Sequence, residues 1–262
     1  MNHEDMIAAE SEQLASVLAT AHPRAQVPTC PEWNAADLLW HLTGVQRFWS
    51  AVLEQDVRTD DAAESLESAA PPQPSAISEM LPVRKVATQE LVDQLRQLGD
   101  DEPRWTWWEA DQTVGFTRRM QVCEAVMHRI DAELTAQMDV GPIAAEVATL
   151  CVDHCVDVMW GWMPDWATWT PQAVVELVAE DTGGRWLIEV GRWRGTGPES
   201  GRNFDVPRAV RAGTDAPAPT AQVSAPVDHL ARWAWTRRGE AEVTGQTEAT
   251  SAVEQLLAQG IQ

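Results

Sequence analysis

Residues 117–134 read Thr117-Arg-Arg-Met-Gln-Val-Cys-Glu-Ala-Val-Met-His-Arg-Ile-Asp-Ala-Glu-Leu134, and this pattern predicts one long helix. Glu124 and His128 are four residues apart, so on a helix their Cβ atoms lie about 5–6 Å apart on the same face. Two such side chains can bind one metal ion between them. The alternative is an exposed Glu and His on a solvated face.

The apolar residues of this helix favour the metal interpretation. Steps of four and three residues place two carboxylates on or beside the stripe that is predicted to face inward. A buried carboxylate is costly unless its charge is compensated, and a divalent cation compensates it well. The stripe consists of Met120, Glu124, Met127, Asp131, Leu134 and Met138.

Length and charge limit the classes of function. A chain of 262 residues is long enough for one large domain or two of ordinary size. The formal net charge of -21 argues against nucleic acid and anionic membranes as partners, because their phosphates would be repelled. The sequence shows neither a secretory signal nor a run of about 18 apolar residues, so we expect a cytoplasmic protein.

The four cysteines include no Cys-x-x-Cys pair. We interpret them as reduced thiols, mostly small core residues. Cys151, His154 and Cys155 are spaced so that one helix could present all three to a zinc ion. A structural site would need a fourth ligand, and the sequence offers no second Cys/His cluster, so core thiols are the default interpretation.

A second helix is predicted to begin at Asn34. Asn34 suits the N-cap position, and Asp37 at the third helical position can complete a capping box. His41 lies within the apolar face of this helix. A lone histidine there is more often a core residue, but beside an inward Glu and His it is the natural third donor. The face is formed by Leu38, Leu42, Val45, Trp49 and Val52.

The remaining sequence predicts further helices before residue 165 and short strands after it. We therefore expect two domains, a helical metal-binding domain over residues 1–164 and a small α+β domain over residues 165–262. The predicted elements are helices at 4–20, 82–98, 142–163, 228–238 and 253–260, a surface loop at 54–79, an ordered loop at 100–115 with Trp105, Trp107 and Trp108, and strands at 173–179, 185–193 and 221–224, the first two joined by a hairpin turn at 181–184. The apolar period of the helix at 82–98 places these side chains inward: Val83, Val86, Ala87, Leu91, Leu95 and Leu98.

Several motifs together resemble the mycothiol-dependent maleylpyruvate isomerase family. The resemblance covers essentially the whole chain and implies a DinB-like four-helix bundle followed by a small α+β domain. It further implies a zinc ion and the thiol mycothiol as cofactors. The motifs are Cys30-Pro-Glu-Trp, Asp37-Leu-Leu-Trp-His41-Leu, Trp105-Thr-Trp, Arg118-Arg-Met-Gln-Val-Cys-Glu124-Ala-Val-Met-His128-Arg-Ile-Asp131 and Trp233-Ala-Trp-Thr-Arg237.

The resemblance also implies roles for individual residues. His41, Glu124 and His128 match the family's three metal ligands. Arg237 matches a catalytic arginine that reaches from the second domain toward an anionic substrate. Thr236 stands where the family tends to have Gly, and Arg238 follows directly, so either arginine can be the one that points inward.

Two imidazoles and one carboxylate leave a zinc ion with an open fourth position, which is typical of catalytic sites. The positive centre favours binding of a thiol as its thiolate. An isomerase would add the thiolate to the double bond of a cis-dicarboxylate, allow rotation and eliminate the thiolate. An S-transferase would leave the sulfur attached to the electrophile, and a non-enzymatic metal-binding module would do neither.

Two aspartates can orient the ligand imidazoles, as metal-bound histidines usually require. Asp37 has the capping explanation as well, and we favour it. Asp131 lies three residues after His128, but it can equally bond Arg118 or Arg129.

Overall fold

The computed structural model describes residues 2–261. The chain divides into two compact units, Met1–Pro142 and Ile143–Gln262. The first unit is helical, and the second contains a five-stranded sheet. The predicted α+β class, with a helical bundle before a smaller mixed region, is confirmed.

The first unit is a bundle of four long helices. α1 and α2 each pack against both α4 and α5. Apolar side chains close the core between them, among them Leu14, Leu38, Leu42 and Leu91, none of which is exposed to solvent. The helices are α1 at His3–Leu18, α2 at Ala35–Glu54, a short α3 at Asp60–Ser68, α4 at Ile77–Gln97 and α5 at Val114–Thr135.

The predicted capping box starts α2. The Asn34 side chain accepts hydrogen bonds from the backbone N–H groups of Ala36 (2.9 Å) and Asp37 (3.2 Å). The Asp37 carboxylate accepts from the backbone N–H of Asn34 (3.0 Å). An N-cap of this kind is worth about 1 kcal/mol, and it fixes where α2 begins relative to His41. The capping interpretation of Asp37 is therefore confirmed.

Three details of the region before α5 differ from expectation. The predicted surface loop at 54–79 contains α3, whose first turn is capped by the Thr59 hydroxyl. α4 begins at Ile77, ahead of Pro82, because the Glu79 carboxylate accepts a hydrogen bond from the backbone N–H of Ala76 and starts the helix earlier (3.3 Å). Val86 was expected to face inward and is 55% exposed.

The second unit combines short helices with the five-stranded sheet. α6 spans Ala145–His154, continues into a π-helical turn at Cys155–Met159 and packs against α7, and α8 packs on β1, β2 and β3. The strand order is β3-β2-β1-β4-β5, in which only β1 and β4 are parallel. The elements are β1 at Thr168–Ala179, β2 at Arg185–Thr196, β3 at Asn203–Arg211, β4 at Ala221–Ala225, α7 at Val227–Ala234, β5 at Glu242–Gly245 and α8 at Thr247–Leu257.

The predicted hairpin joins β1 and β2. Val175 and Ile188 face each other across the antiparallel pair and are both buried. Gly183 has a φ of +74°, the left-handed region that a tight turn often needs. Both strands are longer than expected. The compact units divide at Pro142, and the domain boundary after residue 164 stays a prediction.

Among residues 2–261, none of the helices combines the length and the apolar character that crossing a lipid bilayer demands.

α7 ends in a Schellman motif that places a threonine where glycine is preferred. The backbone N–H of Thr236 donates to the carbonyl of Trp233 (3.0 Å), and that of Arg237 donates to the carbonyl of Arg232 (2.7 Å). Thr236 therefore adopts a φ of +60°. A side chain with a branched Cβ is strained in this left-handed conformation.

We predict that Thr236→Gly raises the free energy of unfolding of the second unit by about 1 kcal/mol. The substitution removes left-handed strain of about 1–2 kcal/mol, and the higher conformational entropy of glycine in the unfolded chain offsets part of this gain. Denaturant unfolding followed by far-ultraviolet circular dichroism measures the change. Thr149→Gly, within α6, is the control and should lower stability. A Thr236→Gly variant no more stable than the parent contradicts the prediction.

Candidate metal centre

α5 is buried along almost its whole length. Only Arg119 and Glu124, of all residues in Val114–Thr135, are not buried. Polar side chains on such a helix must find partners inside the protein. Six polar residues nevertheless follow one narrow stripe, at steps of four and three residues: Thr117, Gln121, Glu124, His128, Asp131 and Thr135.

The middle of this stripe meets His41 from α2. One nitrogen of His41, one nitrogen of His128 and one carboxylate oxygen of Glu124 all lie within 4.8 Å of one another. His128 Nε2 is 3.1 Å from Glu124 Oε2. The rings of His41 and His128 meet edge to face, with centroids 4.8 Å apart. Among residues 2–261 this is the single group of three His, Cys, Asp or Glu side chains arranged closely enough for a metal ion.

Asp131 holds the imidazole of His128 from behind. His128 Nδ1 is 2.9 Å from Asp131 Oδ2, and the other carboxylate oxygen accepts a hydrogen bond from the Thr29 hydroxyl (2.5 Å). Asp131 is completely buried. This contact directs Nε2 of His128 toward Glu124, which is the orientation that a carboxylate partner gives to metal-binding histidines.

The alternative partners of Asp131 are engaged elsewhere. Arg118 donates to the Asp100 carboxylate (2.9 Å) and pairs with Glu4. Arg129 donates to Glu10 (2.7 Å) and to Glu133 (2.8 Å). The open question about Asp131 is therefore resolved in favour of His128.

The two histidines differ in their proton affinity. Burial lowers the pKa of His41, and the neighbouring His128 lowers it further, to about 4. Burial also acts to lower the pKa of His128, but hydrogen bonds with Asp131 and Glu124 outweigh it and raise that pKa to about 9. At neutral pH the His41 ring is thus uncharged and offers a lone pair to a cation.

Trp33 and Thr29 complete the surroundings of the donors. The Trp33 ring lies against His41 at 4.4 Å between centroids and 6.0 Å from His128. Neither residue was assigned a role from the sequence. Both lie in the irregular connector before α2, where no periodic pattern indicates which side chain turns toward the helix pair. For Trp33, the nearest signal was its place in the Cys30-Pro-Glu-Trp motif.

Arg237 lies in the second unit and is 1% exposed. Its guanidinium donates to the backbone carbonyl of Trp235 (2.7 Å) and to that of Ile261. Arg238 is exposed. The structure therefore brings the three predicted metal ligands together within the first unit, while the predicted catalytic role of Arg237 stays a prediction.

The alternative cluster in α6 does not form a metal site among the described residues. All four cysteines are buried. Burial raises the pKa of the Cys155 thiol, and this thiol donates a weak hydrogen bond to the carbonyl of Ala234 (3.6 Å). His154 stacks on Trp235 with centroids 6.1 Å apart. The default interpretation of these residues as core groups fits this packing.

Comparison with known proteins agrees with the geometry. Residues 5–133 match the family model described as the mycothiol maleylpyruvate isomerase N-terminal domain. These residues belong to that family. The predicted family is confirmed for this range, which includes all three candidate donors.

Two solved structures share the fold of this chain over nearly its full length. One is a crystal structure of the mycothiol-dependent maleylpyruvate isomerase carrying a histidine-to-alanine mutation, with a TM-score of 0.61, 11% identity, and coverage of 94% of this chain and 92% of that one. The other is a crystal structure of the mycothiol-dependent maleylpyruvate isomerase, with a TM-score of 0.59, 12% identity and the same coverage, 94% and 92%. No curated protein sequence matches the chain.

We predict that Thr29→Val destabilises the first unit by about 1.5–3 kcal/mol, because it removes a hydrogen bond to a fully buried carboxylate without changing side-chain size. Thermal and denaturant unfolding measure the loss. Thr20→Val is the matched control, since the Thr20 hydroxyl bonds only the nearby Val17 carbonyl near the surface, and its effect should stay within about 0.5 kcal/mol. Equal effects of the two variants would contradict the prediction.

Proposed function

We propose that the chain is a thiol-dependent enzyme of the maleylpyruvate isomerase type in which His41, Glu124 and His128 bind a divalent cation, preferably zinc. The observation that carries the proposal is the convergence of these three donors from two helices to within 4.8 Å of one another. The family of residues 5–133 supports the same class of activity.

The residues present suit a zinc ion. Zinc binds imidazole nitrogen and carboxylate oxygen at about 2.0–2.2 Å, so tetrahedral ligand atoms lie about 3.4 Å apart. The distance of 3.1 Å between His128 Nε2 and Glu124 Oε2 is close to this value. An ion at this point would replace the proton between the two groups. Three protein donors leave a position for a further ligand.

A bound cation would supply a positive centre that lowers the pKa of an incoming thiol. The protein's own residues have different tasks. His41 and His128 would bind the cation as uncharged imidazoles, and Asp131 keeps the His128 ring in the required orientation. Trp33 packs against the His41 ring and lies near the His128 ring, and it would limit the access of water to His41.

The proposed reaction is a cis–trans isomerisation that uses a small thiol, mycothiol in the relatives. The thiolate forms a C–S bond with one carbon of a double bond conjugated to a carbonyl group, and the π electrons move to the carbonyl. After rotation the electrons return and the C–S bond breaks, so the thiol is regenerated. A mycothiol S-transferase on the same scaffold would instead retain the C–S bond.

We further propose that this chemistry takes place in the cytoplasm, where small thiols are kept reduced. Buried cysteines that serve as small core residues are compatible with a reducing compartment. Arg237 is proposed to recognise an anionic group of the substrate, as bidentate arginines do. The proposal for Arg237 rests on the resemblance of the Trp233-Ala-Trp-Thr-Arg237 motif, and the hydrogen bonds of this side chain to Trp235 and Ile261 give it a structural role as well.

We predict that the purified protein binds about one zinc ion per chain and that His128→Ala lowers the zinc affinity at least 100-fold, because two donors do not hold the ion as three do. Inductively coupled plasma mass spectrometry and competition with a chromophoric chelator measure content and affinity. His22→Ala, at an exposed position of the same unit, is the control. Undiminished zinc binding by His128→Ala would refute the ligand assignment.

We predict that zinc-loaded protein and mycothiol together convert a cis-configured, carbonyl-conjugated dicarboxylate such as maleylpyruvate to its trans isomer without consuming the thiol. Liquid chromatography with mass spectrometry follows substrate, product and thiol. A stable thiol conjugate would instead favour the S-transferase. Zinc binding without thiol-dependent turnover of any electrophile would favour a non-enzymatic metal-binding module.

A further inference from the structure

A glycine in the middle of α2 has no conformational or packing reason in the protein itself. Gly44 lies well inside the helix Ala35–Glu54 and does not have a positive φ. A Cβ atom added there would meet no other atom within 4 Å. Glycine lowers the stability of a helix interior relative to alanine. The space beside Gly44 is therefore open, and the packing of the protein gives no reason for the loss of helix stability that glycine causes there.

Gly44 lies on the same face of α2 as the candidate donor His41. The two residues are three apart, and Phe48 follows four residues later on that face. With a rise of 1.5 Å per residue, Gly44 is about 4.5 Å and Phe48 about 10 Å from His41 along the helix axis. Gly44 and Phe48 are both half-buried. The open space thus starts one turn away from the candidate metal centre.

α5 supplies the opposite wall. Thr29, ahead of α2, bonds Asp131 near the end of α5, whereas Phe48, late in α2, contacts Trp105 ahead of α5, so the two helices run antiparallel. Three residues forward from His41 and three residues back from Glu124 therefore reach the same level, at Gly44 and Gln121. Gln121 is completely buried, and neither atom of its side-chain amide has a hydrogen-bond partner in residues 2–261.

Aromatic residues close the far end. Phe48 contacts the Trp105 ring at 5.8 Å between centroids. The Trp107 indole N–H donates to the Met120 sulfur at 3.3 Å, one turn of α5 before Glu124. Trp107 is 38% exposed, one of the few large apolar side chains at the surface. Aromatic faces and a thioether favour flat, polarisable groups.

We propose that the gap beside Gly44 binds the flat, unsaturated part of the electrophile, and that the amide of Gln121 donates a hydrogen bond to its carbonyl or nitro oxygen. This inference rests on the proposed function, which it extends by naming the chemical class of the electrophile. Gly44 provides the width, Phe48 and Trp107 provide the aromatic contact, and Gln121 provides one polar contact. The reacting carbon then lies toward His41 and the cation.

An electrophile that accepts a thiolate needs these two features. Its double bond or ring is planar, and an attached carbonyl or nitro oxygen withdraws the electrons that the sulfur donates. A buried amide that lacks partners is a costly arrangement, and an acceptor oxygen that binds its NH2 group removes the part of that cost that belongs to the donor. A ligand without such an oxygen would leave the amide as it is, so the gap would discriminate between the two kinds of ligand.

Binding of the unreactive probe 2,4-dinitrotoluene to the zinc-loaded full chain tests the proposal through quenching of tryptophan fluorescence. We expect Gly44→Leu to raise the dissociation constant at least tenfold, and Gly44→Ala to raise it about threefold while increasing the melting temperature. Glu54→Gln, at the exposed last position of α2 and ten residues after Gly44, is the control and should change the dissociation constant less than twofold. Zinc content should stay equal in all of these variants.

Gln121→Met tests the polar contact with the ligand separately from the space beside Gly44. It should weaken binding of 2,4-dinitrotoluene about fivefold and leave binding of toluene unchanged, because only the former has an acceptor oxygen. Gly44→Ala keeps the test decisive if Gly44→Leu fails to fold, since its methyl group meets no atom within 4 Å. An unchanged dissociation constant in Gly44→Ala and Gln121→Met would overturn the proposal.

The proposed function and the proposed electrophile site can be refuted separately. If the Gly44 variants weaken probe binding as expected, but no thiol-dependent turnover of any electrophile occurs, the proposed function is wrong and the binding site beside Gly44 is retained. If turnover occurs, but the probe affinity and the Michaelis constant of the electrophile are the same in the parent and in both Gly44 variants, the proposed binding site is wrong and the proposed function is retained.

Discussion

The burial of α5 is the constraint on which the first unit depends. A helix that is enclosed on almost every side can carry charged residues only if each one meets a partner from another segment. Arg118 and Arg129 reach Glu4 and Glu10 of α1, and so they fix α1 against α5. His128 and Asp131 meet each other and Thr29. Charge compensation thus determines the packing, while apolar contacts supply most of its stability.

The candidate centre follows from this arrangement. The same stripe of α5 that would be unfavourable in an apolar core becomes a set of donors once α2 presents His41 to it. Glu124 is one of only two residues of α5 that are not buried, so the stripe reaches solvent at the donors. This combination of a buried imidazole and a half-buried carboxylate lets an ion enter while its ligands stay oriented.

Much of this was predictable because it is encoded locally. The period of apolar residues gave the long helices, and the side chains of Asn34 and Asp37 gave the start of α2. The three donors were identified through helical spacing and the family resemblance. Thr29 and Trp33 were not identified, because their contacts join an irregular connector to distant residues. Val86 was assigned inward on periodicity alone, which cannot tell a core face from an apolar groove at the surface.

The second unit contains a structural role that its motif did not indicate. Arg237 was expected from its motif to reach a substrate, yet the termination of α7 also ties its guanidinium to backbone carbonyls. Thr236, in the place where glycine is easier to accommodate, keeps the Schellman geometry in spite of its strain. A shared fold at 11% identity is consistent with this, since apolar pattern and volume specify a fold more strongly than individual residues do.

The bond between Thr29 and Asp131 joins positions 102 residues apart. The donor set therefore takes its arrangement only after the chain has closed nearly all of the first unit, and apolar packing of the bundle must offset the entropy of that closure. A cation cannot nucleate this structure from a local segment, as it does in a zinc finger. Metal loading would follow folding, and the ion would be exchangeable between natively folded molecules.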